Sequence, residues 1–546
     1  MAQGMTTDWA SGPATGADVL AAGLRAHGVT RTFGIPGTHN LPIFAGLSRS
    51  GIGNITTRHE QGAGYAADAY ARVCGQPGVA ITTSGPALLN IAAAAGQANS
   101  DSVPLLVVSP GMPLGHPMLR SGFLHEMRGS QRLAMAQVAG LSLRVSSVAE
   151  IGVALARAFG YFRRGRPGAA YIEIPVDLLD AAGDSSARAS GVPVAPEPEP
   201  AAAGPADVAR AVSLLRGAGT AAIVLGGGAR RAAAECAELA ERLGAPVVTT
   251  ANGKGIVPES HPLSAGVALH SPAVQRWLAC RDVVVAIGSE LAESDFWRQP
   301  TRLGRALVRI DIDPDQMYSG QTADAPLVTD ARAGVRQLLA RLPPRPRPDA
   351  SAQATARGLI DARDAPNRAR DARWVPYLRA LRQVLAADAV ITSDSAMCCY
   401  YGALPHLPLG PEGRLLHPTG FGTLGFALPA AIGALAADGQ RQVLALSGDG
   451  GLQFTIQELG TAADTGRPLP VVVFDNGGYG EIRAEMAERG QDPRPADLST
   501  PDLAQISRAY GGYGCTAATP ADLAAAVREA LGRPGPSVVV IPEQSS

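Results

Sequence analysis

The segment QVLALSGDGGLQF, residues 442–454, decides how this chain folds. Gln442 to Leu446 read as a short apolar strand, the serine and glycines after them as a tight turn, and Leu452 to Thr465 as a helix. A strand, a glycine turn and a helix in that order form half of a βαβ unit. The glycines let the backbone approach phosphate oxygens closely, and a helix N-terminus adds unpaired N–H groups and positive potential.

The next run, PVVVFDNGGYGE at 470–481, repeats the strand and ends in Asp475-Asn476-Gly477-Gly478-Tyr479-Gly480. Both motifs therefore sit at the carboxyl ends of strands expected to be neighbours, which is where open α/β sheets bind ligands. Asp449 offers a carboxylate oxygen, Asn476 an amide oxygen and Gly478 a main-chain carbonyl. Three hard oxygen donors, with positions left for phosphate oxygens and water, describe a Mg²⁺ site.

Outward from this segment, short apolar strands alternate with helical stretches along the whole chain. Strands are expected at Asn54 to Thr57, Val79 to Thr82, Leu105 to Ser109 and Ala170 to Ile174, then at Ala221 to Leu225, Pro246 to Thr249, Val283 to Ile287 and Ala306 to Ile310. The last group is Ala389 to Thr392, Gln442 to Leu446, Pro470 to Phe474 and Ser537 to Ile541. Two aperiodic Pro-rich stretches, Gly191 to Pro205 and Leu342 to Asp349, read as linkers. They divide the chain into doubly wound parallel α/β units at 14–185, 206–345 and 373–546.

Composition limits the partners. A formal net charge of −1 with scattered arginine leaves no basic stripe for nucleic acid. No long apolar run suits a membrane and no cationic apolar leader occupies Met1 to Ala10, so a cytoplasmic protein acting on small molecules is expected. The cysteines Cys74, Cys236, Cys280, Cys398, Cys399 and Cys515 lack zinc or disulfide-framework spacing. Lys254 is the one lysine, which disfavours Schiff-base chemistry.

Arg58-His59-Glu60-Gln61 follows the strand-like Asn54 to Thr57 and opens a helix rich in Gly and Ala. Read alone, Glu60 is a first-turn acid favoured by the helix dipole. Together with the later motifs it carries more. Gly448-Asp449-Gly450, the 24 residues 451–474, and then Asp475-Asn476 resemble the signature of thiamine diphosphate enzymes. Asp475 stands where that family usually has a first Asn, while the ligand Asn is retained as Asn476. His59-Glu60-Gln61 with Ala69-Tyr70-Ala71-Arg72 resembles the segment bearing the family's catalytic glutamate. Phe33 to Gly37, Thr83-Ser84-Gly85-Pro86, Asp101 to Pro104 and Asp394-Ser395 match as well.

The resemblance implies a pyrimidine-binding first unit, a central unit and a diphosphate-binding third unit, with thiamine diphosphate and Mg²⁺ as cofactors. It implies that Glu60 bonds the pyrimidine N1′ and supports the imino tautomer that deprotonates the thiazolium, and burial would raise its pKa toward that task. Leu424 is implied as the apolar wedge beneath the bent cofactor, and backbone groups at Gly422 and Leu424 as partners of the pyrimidine edge. Ser84, Ser395, Gly448, Asp449, Gly450, Gly451, Asn476 and Tyr479 are further cofactor contacts. His39 and His125 have the titration range for proton transfer and lie in segments that face the cofactor in similar proteins. Such enzymes build their sites from two subunits, so a homodimer or homotetramer is implied.

Ile287 to Phe296 and Leu124-His125-Glu126 resemble the corresponding segments of guanidino-2-oxo-acid decarboxylases. Glu290, Glu293, Asp295, Glu481 and Glu485 are candidates to pair a guanidinium, with Asp295 and Glu481 as the substrate residues; a solvated acidic loop is the competing reading. The expected activity is non-oxidative decarboxylation of a 2-oxo acid. An acetolactate synthase-like carboligase and a non-catalytic binding protein are the alternatives. Gly226-Gly227-Gly228 in the central unit is not Gly-x-Gly-x-x-Gly, and FAD is not expected there.

Overall fold

A computed structural model describes residues 14–117, 121–182, 194, 199, 201–298, 301–344, 350–410 and 412–543. Met1 to Ala10, most of the first expected linker and the end of the second lie outside them. The chain divides into two compact units. One spans 1–198 with 432–439, the other 199–431 with 440–546.

The first unit holds a six-stranded parallel sheet of Arg31–Gly34 (β1), Gly53–Ile55 (β2), Gly78–Ile81 (β3), Leu105–Gly111 (β4), Leu141–Arg144 (β5) and Ala169–Pro175 (β6), in the order β2-β1-β3-β4-β6-β5. Every residue of β4 and β6 is buried. Helices cover both faces of such strands, which therefore read as continuous apolar runs rather than alternating ones.

The second unit contains two more parallel sheets. Ala221–Leu225 (β7), Val247–Thr249 (β8), Ser264–Val267 (β9), Val283–Ile287 (β10), Ala306–Asp311 (β11) and Ala325–Val328 (β12) assemble as β12-β11-β10-β7-β8-β9. Val390–Ser393 (β13), Arg414–Leu416 (β14), Val443–Gly448 (β15), Leu469–Asp475 (β16), Tyr513–Thr516 (β17) and Pro536–Pro542 (β18) assemble as β14-β13-β15-β16-β18-β17. The chain is thus α/β with three doubly wound sheets, and the first and third share one strand order.

Where the strand order reverses, loops diverge to opposite faces and leave a crevice at the carboxyl ends. In the first sheet this point lies between β1 and β3, and in the third between β13 and β15. The central sheet reverses between β7 and β10, but there its own backbone fills the space. The Gly226 and Gly228 amides donate to the Ile287 and Gly288 carbonyls at 3.0 and 3.1 Å, and a Cβ on Gly226 would meet Gly288 O at 2.2 Å. Close packing accounts for the three glycines.

Lys254 is 1% exposed, with its Nζ 2.7 Å from Glu259 Oε1. Burial depresses its pKa, and Glu259 acts against that shift. All six cysteines are free thiols. No helix among the described residues is long and apolar enough to cross a membrane.

Candidate active site

The Gly-Asp-Gly turn lies where β15 ends, and β16 runs beside it with Gly448 opposite Phe474. This register brings Asn476 onto Asp449. The Asn476 amide donates to Asp449 Oδ1 at 3.2 Å, and the Thr500 hydroxyl donates to Oδ2 at 3.1 Å. Asp449 is fully buried, and burial pushes its carboxyl above the usual range despite the Asn476 amide. The expected helix from Leu452 to Thr465 is interrupted: Asp449–Leu452 and Glu458–Thr465 are separate helices. Thr455 lies in the turns between them, and its hydroxyl donates to Gly425 O at 2.8 Å rather than facing a continuous helical ladder.

Asn476 Oδ1 is buried without a hydrogen-bond partner. An unpaired buried amide oxygen costs its full desolvation, unless a cation supplies what a donor would. Gly478, at φ +139°, is held against the chain at 496–498, where a Cβ would approach Ala496 O to 2.3 Å. Its carbonyl lies beside Gly450, since a Cβ built there would be 3.1 Å from Gly478 O. Carboxylate, amide and carbonyl oxygens thus gather at one turn. Among the described residues no group of three His, Cys, Asp or Glu is placed to hold a metal, so this mixed oxygen set is the chain's cation candidate. The residues fit Mg²⁺ and a diphosphate.

Asp394, just beyond β13, lies in a matched motif but is not among the candidate site residues of the sequence. Its carboxylate accepts from the Gly425 amide at 2.9 and 3.1 Å, from the Ser395 amide at 2.9 Å and from the Ser447 hydroxyl at 3.2 Å. One buried acid therefore ties the loop bearing Gly422 and Leu424 to the β13 and β15 ends. Gly422 is exposed and left-handed (φ +65°), and Leu424 is half-buried. Only tertiary pairing discloses the role of Asp394.

In the first unit Glu60 opens the helix Glu60–Cys74, capped by the His59 side chain, and its Oε2 accepts from Asn90 Nδ2 at 2.9 Å. His39 and Ser84 lie in the loops after β1 and β3, at that sheet's reversal point. Ser84 Oγ is 2.6 Å from His39 Nδ1 and 3.2 Å from His125 Nδ1. His125 has a left-handed backbone (φ +62°) and packs over Gly85, where a Cβ would come within 2.6 Å of His125 O. Burial, then the nearby His125, hold His39 below the usual imidazole range.

The acidic segment after β10 is organised by Arg309, 1% exposed, whose guanidinium donates to Ser289 O at 2.9 Å. Glu293 is exposed and Asp295 half-buried in the short helix Glu293–Phe296. Trp297 follows with φ +57° and projects its ring against Tyr401 and Tyr400, at centroid separations of 5.2 and 6.2 Å. Tyr401 in turn donates its hydroxyl to Glu481 Oε1 at 2.6 Å. Two aromatic side chains, Trp297 and Tyr401, thus link the end of the acidic helix to Glu481. Burial pushes the Glu481 carboxyl above its usual range even with that hydroxyl bond. Neither Trp297 nor Tyr401 belongs to a motif.

Three doubly wound parallel sheets, two of them with one strand order, a buried Asp–Asn–carbonyl oxygen set at a glycine turn and a helix-opening glutamate define a diphosphate-cofactor enzyme. The chain belongs to the thiamine pyrophosphate enzyme family. The N-terminal TPP-binding domain matches residues 14–131, the central domain 208–338 and the C-terminal TPP-binding domain 396–541. It is 39% identical over 515 residues to a probable 2-ketoarginine decarboxylase of Pseudomonas aeruginosa, covering 93% of this chain and 90% of that protein. An acetolactate synthase large subunit of Parasynechococcus marenigrum is 32% identical over 548 residues (92% and 83% covered), and the Escherichia coli isozyme 1 large subunit 27% over 541 (96% and 93%).

Proposed function

We propose that this chain carries out the thiamine diphosphate- and Mg²⁺-dependent, non-oxidative decarboxylation of a 2-oxo acid with a guanidino or similarly basic tail. The observation that carries the tail assignment is Glu481. It is a half-buried carboxylate five residues past Asn476, held by Tyr401 next to the segment that ends in Trp297. A carboxylate removed from bulk water pairs a guanidinium more strongly than an exposed one.

Asp449, Asn476 and the Gly478 carbonyl are assigned to the metal. Gly448, Gly450, Gly451, Tyr479 and Ser395 are assigned to the diphosphate side, Gly422 and Leu424 to the pyrimidine side, and Glu60 to cofactor activation. The bound cofactor supplies the electron sink for the carboxylate carbon–carbon bond. His39 and His125 manage the proton that replaces CO₂ on the substrate carbon. Asp295 and Glu481 face the tail. The working form is a cytoplasmic homodimer or homotetramer with sites shared between subunits.

Product analysis on a panel of 2-oxo acids, with and without an aldehyde acceptor, tests this reading. The guanidino acid should be consumed in preference to pyruvate, with release of CO₂ and the aldehyde. Preferential use of pyruvate with accumulation of acetolactate overturns the decarboxylase assignment in favour of the carboligase seen among the relatives.

A further inference from the structure

Ser84 has a hydroxyl with one proton to give, set between two ring nitrogens. Its Oγ lies 2.6 Å from His39 Nδ1 and 3.2 Å from His125 Nδ1, and the serine is fully buried. A hydroxyl donates once, so it satisfies one of these nitrogens as acceptor and must accept a proton from the other. We infer that Ser84 is a positioning residue that forces His39 and His125 into opposite tautomers and links them as a proton relay. This inference rests on the proposed decarboxylation only for the use made of the relay. The tautomer assignment stands on the geometry alone.

All three elements are latched in place. Asn40 holds the His39 loop, accepting from the Gly37 amide at 2.7 Å and donating to Ile35 O at 3.0 Å. Buried Gln131 accepts from the Gly85 amide at 2.7 Å and donates to Pro110 O at 2.9 Å, tying the Ser84 turn to the segment that carries His125. Glu126, beside His125, accepts from the Ser121 and Gly122 amides at 2.9 Å each and meets His116 Nε2 at 2.9 Å. The two imidazoles stand edge to face with centroids 5.0 Å apart, too tilted to stack, and the hydroxyl bridges them.

In the neutral pair, one ring carries its proton on Nδ1, given to Ser84, and keeps a bare Nε2. The other accepts from Ser84 at Nδ1 and carries its proton on Nε2. The first ring is thereby a base at its far nitrogen and the second an acid at its own. Replacing a carboxylate by hydrogen consumes one proton per turnover, and the chain delivers it as follows. A proton from water binds the bare Nε2, the Nδ1–H proton of that ring passes to Ser84 Oγ, and the Ser84 proton passes to Nδ1 of the second ring. The Nε2–H bond of the second ring then breaks, its proton joining the electron pair left on the substrate carbon by departing CO₂. One proton enters and one leaves, no group is oxidised, and the tautomers end reversed. Rotation of the Ser84 hydroxyl with solvent exchange restores the starting state.

Imidazole ¹⁵N NMR on histidine-labelled enzyme without substrate, assigned with His39→Asn and His125→Asn, reads the tautomers directly. The wild type should show one ring protonated at Nδ1 and the other at Nε2. The same tautomer in both rings overturns the inference, whatever the variants do. Ser84→Ala should lose the correlation while Ser84→Thr keeps it. With the substrate that the product panel identifies, Ser84→Ala should lower kcat about 10- to 100-fold with little change in KM, within the range ascribed to positioned proton transfer. Its proton inventory in H₂O/D₂O mixtures should become linear where the wild type is bowed. An unchanged kcat and isotope effect in a folded Ser84→Ala enzyme also overturns it. If no 2-oxo acid is turned over, the proposed function fails while the tautomer measurement still decides the role of Ser84.

Discussion

Replacing Glu481 by glutamine removes a charge and almost nothing else. Tyr401 donates to Glu481 Oε1, and the amide oxygen of glutamine accepts that bond equally well, so the pocket keeps its packing. With Oε1 committed to Tyr401, a substrate guanidinium meets the carboxylate through Oε2 in a single charge-assisted bond rather than a bidentate pair. Such bonds contribute about 1.5–3 kcal/mol, and partial exposure places this one at the lower end. About 1.5 kcal/mol is roughly a tenfold change in rate or equilibrium constant. Steady-state kinetics on a guanidino 2-oxo acid and on a chain-matched neutral 2-oxo acid should show kcat/KM falling about tenfold for the first, mostly through KM, as expected when binding common to ground and transition states is lost. The neutral substrate should be unaffected. Equal losses for both substrates would mean that Glu481 serves the reaction centre or the fold, and no loss for either would remove it from the tail site.

Acidifying the medium should reproduce that substitution. Burial raises the Glu481 pKa, so its neutral form takes over at a higher pH than for an exposed glutamate, and the preference for the guanidino acid over the neutral one should fade as pH drops through that range. A preference that stays flat to the acid limit of the enzyme's stability contradicts this. Asp449→Ala should lose Mg²⁺-dependent cofactor binding in calorimetry, because the diphosphate charge is left less compensated beside the orphaned Asn476 oxygen; unchanged affinity removes Asp449 from the metal. Glu60→Gln should bind the cofactor yet exchange its C2 proton about 10²- to 10⁴-fold more slowly by NMR, the scale of positioned acid–base catalysis. Exchange at the wild-type rate refutes its role.

Burial decides which strands the sequence discloses. The eleven interior strands other than β1 appear as apolar runs, and their expected bounds shift by at most two residues. Edge strands are different. Leu141–Arg144, Ser264–Val267, Ala325–Val328, Arg414–Leu416 and Tyr513–Thr516 each pair on one side only, and their mixed residues neither run apolar nor alternate for long enough to stand out. β1 is absent from the expected strands because Arg31-Thr32-Phe33-Gly34 holds one large apolar residue in four and makes no apolar run. The juxtaposition of Asp449 and Asn476 was legible because each directly follows one of two neighbouring strands. The roles of Asp394, Thr500, Trp297 and Tyr401 were not, because each acts through a partner between 31 and 104 positions away that only packing brings near.

Lys254 is the one lysine of the sequence and is buried against Glu259, so the exposed cationic side chains of this protein are arginine and histidine. Reagents that acylate lysine amines therefore meet a folded surface that offers them no lysine side chain. A dye coupled through lysine chemistry should leave the side chains of the folded protein almost unlabelled and should reach Lys254 only when its surroundings open. Proteolysis follows the same asymmetry. An enzyme that cuts only after lysine has one inaccessible target, so cleavage at Lys254 would report directly on opening of the central sheet's flank.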